Sequence, residues 1–302
     1  MGNSIVSNSV MNSYIDRSSE TKNINKNIRL MSYNVEWGFL NLPPDIHSDS
    51  CGHNIPNSIN AQKTHLNLIA KNIGLMFPDI CFLQEIGSLE ALEFINNQLL
   101  SMFNIEYKCY YSNNIEKGFQ GVGLLIRNNI DDMCSVENIP NFKLNRALGI
   151  DFKYNNKNFK FVGVHLKSLY DQKINKDEKE QVQELSSVIS WVKNCQNIII
   201  CGDFNNIPGS TPINFIKNQK FTDIFEKSTF INNILNNTNT EFHRKSINSQ
   251  EEGSRIDYIF TKGEIPIISS HIINIQRECI KQLPDERGET SDHLPIMAIL
   301  SI

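Results

Sequence analysis

From Ile28 onward, short apolar runs recur with amphipathic segments between them. IRLMSYNV (28–35) alternates with the two-residue period of a strand, and DICFLQE (79–85) is a compact apolar run that predicts a buried strand. Between them, SINAQKTHLNLIAKNIGLMF (58–77) sets Leu66, Ile69, Ile73 and Phe77 at three- and four-residue steps, which predicts an amphipathic helix ended by Pro78. VGLLIR (122–127), LGIDFKY (148–154) and NFKFVGVHL (158–166) predict further strands, the last two joined as a hairpin through Asn155-Asn156-Lys157. EKEQVQELSSVISWVKNC (178–195) is a second helix, with Val182, Leu185, Val188, Ile189 and Val192 on one stripe. NIIICGDF (197–204) is apolar on both faces, so it predicts a central strand covered on each side. RIDYIFT (255–261) and LPIMAIL (294–300) complete the set. Strands alternate with helices in some places and with hairpins in others, which fits a two-sheet α/β sandwich better than a purely parallel sheet.

Residues 1–27 break this texture. They are polar, rich in Asn and Ser, and lack a sustained period, so we read a flexible tail followed by one domain over 28–302. The tail opens Met1-Gly2-Asn3-Ser4, part of an N-myristoylation template, but Val6 stands where that template wants Ser or Thr. It has no apolar signal core, and no stretch nears the roughly 20 apolar residues that cross a bilayer. With seven cysteines, an odd number lacking CxxC spacing, reduced thiols in an intracellular compartment are the plain expectation. The 40% hydrophobic content supports a real core. Lys and Arg (29) do not outnumber Asp and Glu (33), which excludes a strongly basic nucleic-acid coat. A phosphodiester substrate stays open, because a local basic rim or a metal ion can supply positive charge. Neither GxGxxG after the first strand nor GxxxxGK[ST] occurs, so nucleotide-binding loops are not the theme.

The candidate chemistry lies at or just beyond the ends of apolar strands: Asn34, Glu85, His165, Asp203, Asn205, Asp257, Asp292 and His293. Singly, a carboxylate after a strand is a turn former or helix cap, and a His within an apolar run is a satisfied core residue. Together the types complement one another. Asn, Glu and Asp are hard oxygen ligands suited to Mg²⁺ or Mn²⁺, and His moves protons near neutral pH. Asp203 and Asn205 face the same way if the extended backbone persists, as do His165 and Lys167. Lys167, Ser168 and Arg146 are candidates for phosphate contact. Arg255 is weighed against the plainer reading of an Arg that makes a structural ion pair as it enters a strand.

The ordered blocks SYNVEW, PDICFLQE, VGVHLKS, ICGDFNNIPGS, SRIDYIF and SDHLP resemble the endonuclease/exonuclease/phosphatase superfamily, and cover essentially residues 28–302. That superfamily includes pancreatic-type deoxyribonuclease, exonuclease III-like apurinic endonucleases, deadenylases, neutral sphingomyelinases and inositol polyphosphate 5-phosphatases. The resemblance implies a four-layer α/β sandwich with its site at the lip between two sheets, and metal-assisted phosphodiester hydrolysis. It implies Glu85 as principal Mg²⁺ ligand with Asn34 beside it and Asp292 near a metal position. Asp203 would orient or deprotonate the attacking water, Asn205 would hold water or phosphate, and Asp257 would fix the tautomer of His293. His165 would donate to the phosphate or leaving group. A nucleic acid is the expected substrate, with a lipid or inositol phosphate head group as the alternative; no obligate protein partner is evident.

Two loops fall outside these motifs. Residues 38–57 contain His47, Asp49, Cys51 and His53, but no second segment supplies the further ligands that would close a zinc site. The Asn-rich stretch 228–254, with Arg244 and Lys245, reads as a surface insertion. Both are expected to flank the strand ends and choose the substrate.

Overall fold

The computed structural model describes residues 27–41, 58–112, 120–169, 174–227, 239–243, 252–273 and 291–302. The expectations for residues 1–26 of the tail and Gly2, for His47, Asp49, Cys51 and His53, and for Arg244 and Lys245 lie outside these residues. Among the described residues, fourteen strands, β1 (Asn27–Gly38), β2 (Ile80–Ile86), β3 (Tyr107–Tyr111), β4 (Gly121–Arg127), β5 (Cys134–Asn138), β6 (Ala147–Tyr154), β7 (Lys157–His165), β8 (Asn197–Asp203), β9 (Thr222–Asp223), β10 (Glu241–His243), β11 (Glu252–Ser254), β12 (Asp257–Lys262), β13 (Ile267–Ile272) and β14 (Ile296–Ser301), make two six-stranded sheets and a two-stranded ribbon. The first sheet runs β13-β14-β1-β2-β4-β3 and the second β5-β6-β7-β8-β12-β9, with β10-β11 as the ribbon. Each sheet holds one parallel pair at its centre, β1 with β2 and β7 with β8, among antiparallel neighbours.

Helices α1 (Ile59–Met76) and α2 (Leu89–Phe103) cover the first sheet, and α4 (Ile174–Val192) and α5 (Thr211–Asn218) the second; α3 (Asn128–Asp131) and α6 (Ile224–Lys227) are short turns. Three apolar layers result. Leu66, Ile69 and Ile73 of α1 meet Met31, Tyr33 and Leu83. Leu185, Val188 and Val192 of α4 meet Val162, Ile198 and Ile200. Between the sheets, Leu30, Phe82 and Leu124 face Ile150, Phe161, Ile199 and Ile259. This is the four-layer α/β sandwich.

The sheet interface explains where the site sits. Along β8, Ile199 and Cys201 point inward, so Asp203 is the next inward position; on β7 Phe159 and Phe161 lead likewise to His165, and on β1 Ile28 and Leu30 lead to Ser32 and Asn34. Each strand is apolar where the sheets close and polar where they part. Gly163 makes the closure possible, since a Cβ there would lie 2.0 Å from the Phe82 ring of the opposite sheet. The β6–β7 hairpin turns through Asn155 (φ 48) and Asn156 (φ 61), the paired left-handed conformation that a two-residue hairpin demands and Asn tolerates.

Candidate active site

Glu85 departs from strand alternation. Cys81 and Leu83 face the helices, and the same parity would send Glu85 there too. Instead Glu85 is left-handed (φ 62) and sits in a bulge where Gln84 pairs with Val122 but Ile86 pairs with Gly121. A bulge re-aims one side chain, and this one turns the carboxylate into the lip. There Glu85 Oε1 accepts from Asn34 Nδ2 at 3.2 Å, while Oε2 accepts from Trp37 N at 3.3 Å and Gln120 Nε2 at 3.2 Å.

Asp203, buried at 1% exposure, is the hub. Its Oδ2 accepts from Asn34 Nδ2 at 3.0 Å and Asn205 Nδ2 at 3.2 Å, and its Oδ1 from Asn205 N at 2.7 Å. Asn205 reaches it differently from the strand rule: β8 ends at Asp203, Asn205 is left-handed (φ 49), and a local turn folds its amide back. His165 Nε2 lies 3.7 Å from Asp203 Oδ2 and 3.9 Å from Glu85 Oε1, and His293 Nε2 lies 3.9 Å from Asp203 Oδ2. On its other side His293 Nδ1 bonds Asp257 Oδ2 at 2.8 Å. The SDH turn is tied down by Ser291, whose Oγ donates to Asn34 O at 2.8 Å and accepts from His293 N at 3.0 Å.

Burial sets the charge states. It raises the carboxyl pKa values of Glu85, Asp203 and Asp292, and for Asp292 the neighbouring Glu36, Glu85 and Glu241 push the same way. Burial opposes protonation of His293, yet Asp257, Asp292 and Asp203 around it outweigh that and hold its pKa well above the ordinary value, so the ring is an imidazolium at neutral pH. His165 goes the other way: burial, then Arg146 and His293, keep its pKa well below the usual value and the ring neutral.

Among the described residues, two groups bring candidate ligand atoms within reach of one cation. The ligand atoms of Asp203, Asp257 and His293 lie within 4.8 Å of one another, as do those of Glu241, Asp292 and His293. Their carboxylate oxygens, buried at Asp203 and Asp257 and half-buried at Glu241 and Asp292, suit a hard divalent ion, whereas the His293 imidazolium offers it no lone pair. Asn34 enters the site in an unexpected orientation, with its amide nitrogen toward the carboxylates and its Oδ1 accepting from Glu36 N at 3.0 Å.

The four phosphate candidates divide. Arg146 is 9% exposed, its carbonyl accepts from His165 N at 2.9 Å, and its Nε has no hydrogen-bond partner; burial lowers its pKa against the pull of Glu184, Glu85 and Asp203. Ser168 is partly buried just past β7. Lys167 does not follow His165 into the lip, because β7 ends at His165 and its ammonium pairs with Asp177 and, at 3.3 Å, Glu180. Arg255 pairs with buried Asp223 at 2.7 Å and lies over the Tyr258 ring, the structural alternative weighed for it from sequence.

The structure adds residues that the motifs did not supply. Glu36, within the quoted SYNVEW block, accepts from Asp292 N at 3.0 Å. Thr240 and Glu241 come from the stretch read as a surface insertion. Thr240 is instead fully buried, its Oγ1 accepting from Ile256 N at 3.1 Å and Asp257 N at 3.0 Å, and Glu241 bridges to His293. No periodicity marks a three-residue strand in a polar insertion, so sequence offered no signal for either.

The sequence matches the Endonuclease/Exonuclease/phosphatase family over residues 31–293. No curated protein matches it in sequence. Among solved structures, D. rerio TDP2 complexed with single-strand DNA product is 17% identical with a TM-score of 0.61, covering 92% of this chain and 100% of that one. ANGEL2, a 2′,3′-cyclic phosphatase in complex with adenosine-2′,3′-vanadate, is 16% identical with a TM-score of 0.61, covering 91% and 95%. A Bacteroides vulgatus endonuclease/exonuclease/phosphatase protein is 16% identical with a TM-score of 0.62, covering 91% and 99%. At these identities the solved structures speak for the fold, and the family match across most of the sequence carries the assignment: the chain belongs to the endonuclease/exonuclease/phosphatase family.

Proposed function

We propose that the chain is a divalent-metal-dependent phosphodiesterase that hydrolyses nucleic-acid phosphodiester bonds. The observation that carries the reading is the carboxylate of Asp203, buried and set 3.7 Å from one imidazole and 3.9 Å from another whose protonation states differ. Asp203 accepts the proton of the attacking water as the water oxygen bonds to phosphorus and the P–O bond to the leaving group breaks. Asn205 and Asn34, both bonded to it, hold its oxygens in place. His293, kept as an imidazolium by Asp257, offers Nε2–H to the charge that develops on the phosphate. His165 is neutral and so donates a hydrogen bond from Nε2 rather than delivering a proton to the leaving group. Arg146 contacts a non-bridging oxygen, which its unpartnered Nε and its place beside Glu85 and Asp203 favour.

Glu85 and Asp292 are the residues assigned to Mg²⁺ or Mn²⁺, with Asn34 beside them once its amide turns its oxygen toward the site; the ion would polarise the phosphate and offset its charge. DNA is favoured by the relative seen with a single-strand DNA product. Supercoiled plasmid and single-stranded DNA and RNA oligonucleotides, each incubated with Mg²⁺, with EDTA and with His293→Ala, test the reading. Cleavage that needs the metal and is lost in the variant is expected. Cleavage undiminished in EDTA refutes the metal requirement, and intact nucleic acid throughout moves the substrate to a lipid or inositol phosphate.

A further inference from the structure

Besides the apolar stripe that packs on the second sheet, α4 carries a buried polar one. Asp177, Gln181 and Glu184 follow one another at helical spacing and are 1%, 0% and 2% exposed. Burying an amide and two carboxyls is costly unless each finds partners. All three close on one residue: Asp177 takes the Lys167 ammonium, Gln181 Nε2 donates to the Lys167 carbonyl at 2.6 Å, and Glu184 Oε2 accepts from the Lys167 amide at 3.1 Å.

Gln181 reaches further. The same amide nitrogen lies 3.3 Å from Phe204 O and 3.5 Å from Asn205 O, and its Oε1 accepts from Asn206 Nδ2 at 3.0 Å. It therefore touches both segments that leave the central strands of the second sheet, the one that follows His165 and the one that follows Asp203. Those segments also bond each other, Leu166 N donating to Asp203 O at 2.9 Å and Asn205 Nδ2 to Leu166 O at 3.0 Å. That direct tie fixes their spacing along the sheet; the helix amide beneath fixes their height above it.

We infer that Gln181 is a positioning residue, holding His165 and the Asp203–Asn205 turn at the separation the reaction requires. The inference rests on the phosphodiesterase reading above. Without the amide, three carbonyls and the Asn206 side chain lose a buried partner, and both segments relax. Displacing reacting groups by about 1 Å costs on the order of 10²-fold in rate. Ground-state binding runs through Arg146, the His293 imidazolium and the divalent ion, and Gln181 bonds none of their residues, so the loss falls on kcat rather than KM.

The test uses the full chain, bis(p-nitrophenyl) phosphate with Mg²⁺ as the probe, and two variants. Gln181→Met removes both polar atoms at similar volume, and Gln181→Asn keeps an amide but withdraws it by one methylene, which preserves a foldable alternative. Expected are a kcat lower by about 10- to 100-fold with KM within about threefold, and faster amide hydrogen exchange at Leu166 and Asn205 while β2 stays protected. A kcat within about twofold of the unmodified protein in both variants overturns the inference, as does unchanged exchange at those two amides. If the unmodified protein leaves the probe intact, the phosphodiesterase reading fails for that probe, and exchange at Leu166 and Asn205 decides the positioning role alone.

Discussion

Asp257, 2.8 Å from His293 Nδ1, does two things for that ring. It fixes the orientation that aims Nε2 at Asp203, and with Asp292 it keeps the ring charged against the pull of burial. Replacing His293 by alanine removes the donor and leaves Asp257 buried and unanswered. We expect at least about a 10²-fold loss of turnover, in the range for removing one pre-organised donor; circular dichroism should show an intact fold, and near-normal turnover would refute the role. Glu184 supports a prediction about stability instead. Burial pushes its carboxyl up to about 7, against the pull of the Lys167 amide and Arg146. The folded state thus holds a proton that the unfolded chain has released, and stability falls as pH rises from near the ordinary carboxyl value to about 7, then levels. Glu184→Gln lacks that penalty and keeps an acceptor for Lys167 N. Its urea midpoint should match that of the unmodified protein near pH 4 and exceed it at pH 8, by at most about 3 kcal/mol. Equal midpoints at both pH values would show that Glu184 is ionised at no cost.

Among the elements, the sheet interface is where sequence and structure speak most directly to each other. Gly163 lets the Phe82 ring of one sheet rest on the β7 backbone of the other. Gly163→Ala drives a methyl into that ring, and overpacking of this kind costs about 1–3 kcal/mol; a midpoint unchanged in chemical denaturation would mean the sheets part freely. The strands that form this interface were readable because their apolar runs have no other use: IRLMSYNV, DICFLQE and NIIICGDF all lie at the centres of their sheets. The elements that escaped notice are peripheral. β3, β5 and β13 are edge strands of their sheets and carry exposed or half-buried positions along most of their length, and β3 and β13 show no clean alternation. α2 escaped although Ser88 caps it, its side chain accepting from Ala91 N, because LEALEFINNQLLSMF is apolar around much of its circumference. Within the site, strand-end polar residues were legible from position alone, whereas the bulge that turns Glu85 inward is a matter of register between β2 and β4 and leaves no trace in either strand.

At the scale of the molecule, charge separates this protein from nucleic-acid binders that hold their ligand by a basic coat. The net charge is -4. Among the described residues, Lys143, Lys160, Lys167, Lys217, Arg127 and Arg255 all sit in ion pairs with the protein's own carboxylates. Arg146 is the buried cation that faces the reacting cluster. Attraction between this surface and a polyphosphate backbone is therefore weak at long range, and under the proposed function recognition is local, from Arg146, the His293 imidazolium and a divalent ion. A nucleic-acid ligand held this way displaces few counterions. For single strands the logarithm of the binding constant falls with the logarithm of salt concentration at about 0.7 per phosphate neutralised. With two or three phosphates engaged, the slope for His293→Ala on a single-stranded oligonucleotide, in Ca²⁺ to hold the site without turnover, should be shallower than about −2. Fluorescence anisotropy from 50 to 300 mM KCl measures it. A slope steeper than about −4 would place most of the contact on basic residues away from Arg146 and His293, and would move substrate choice off the lip.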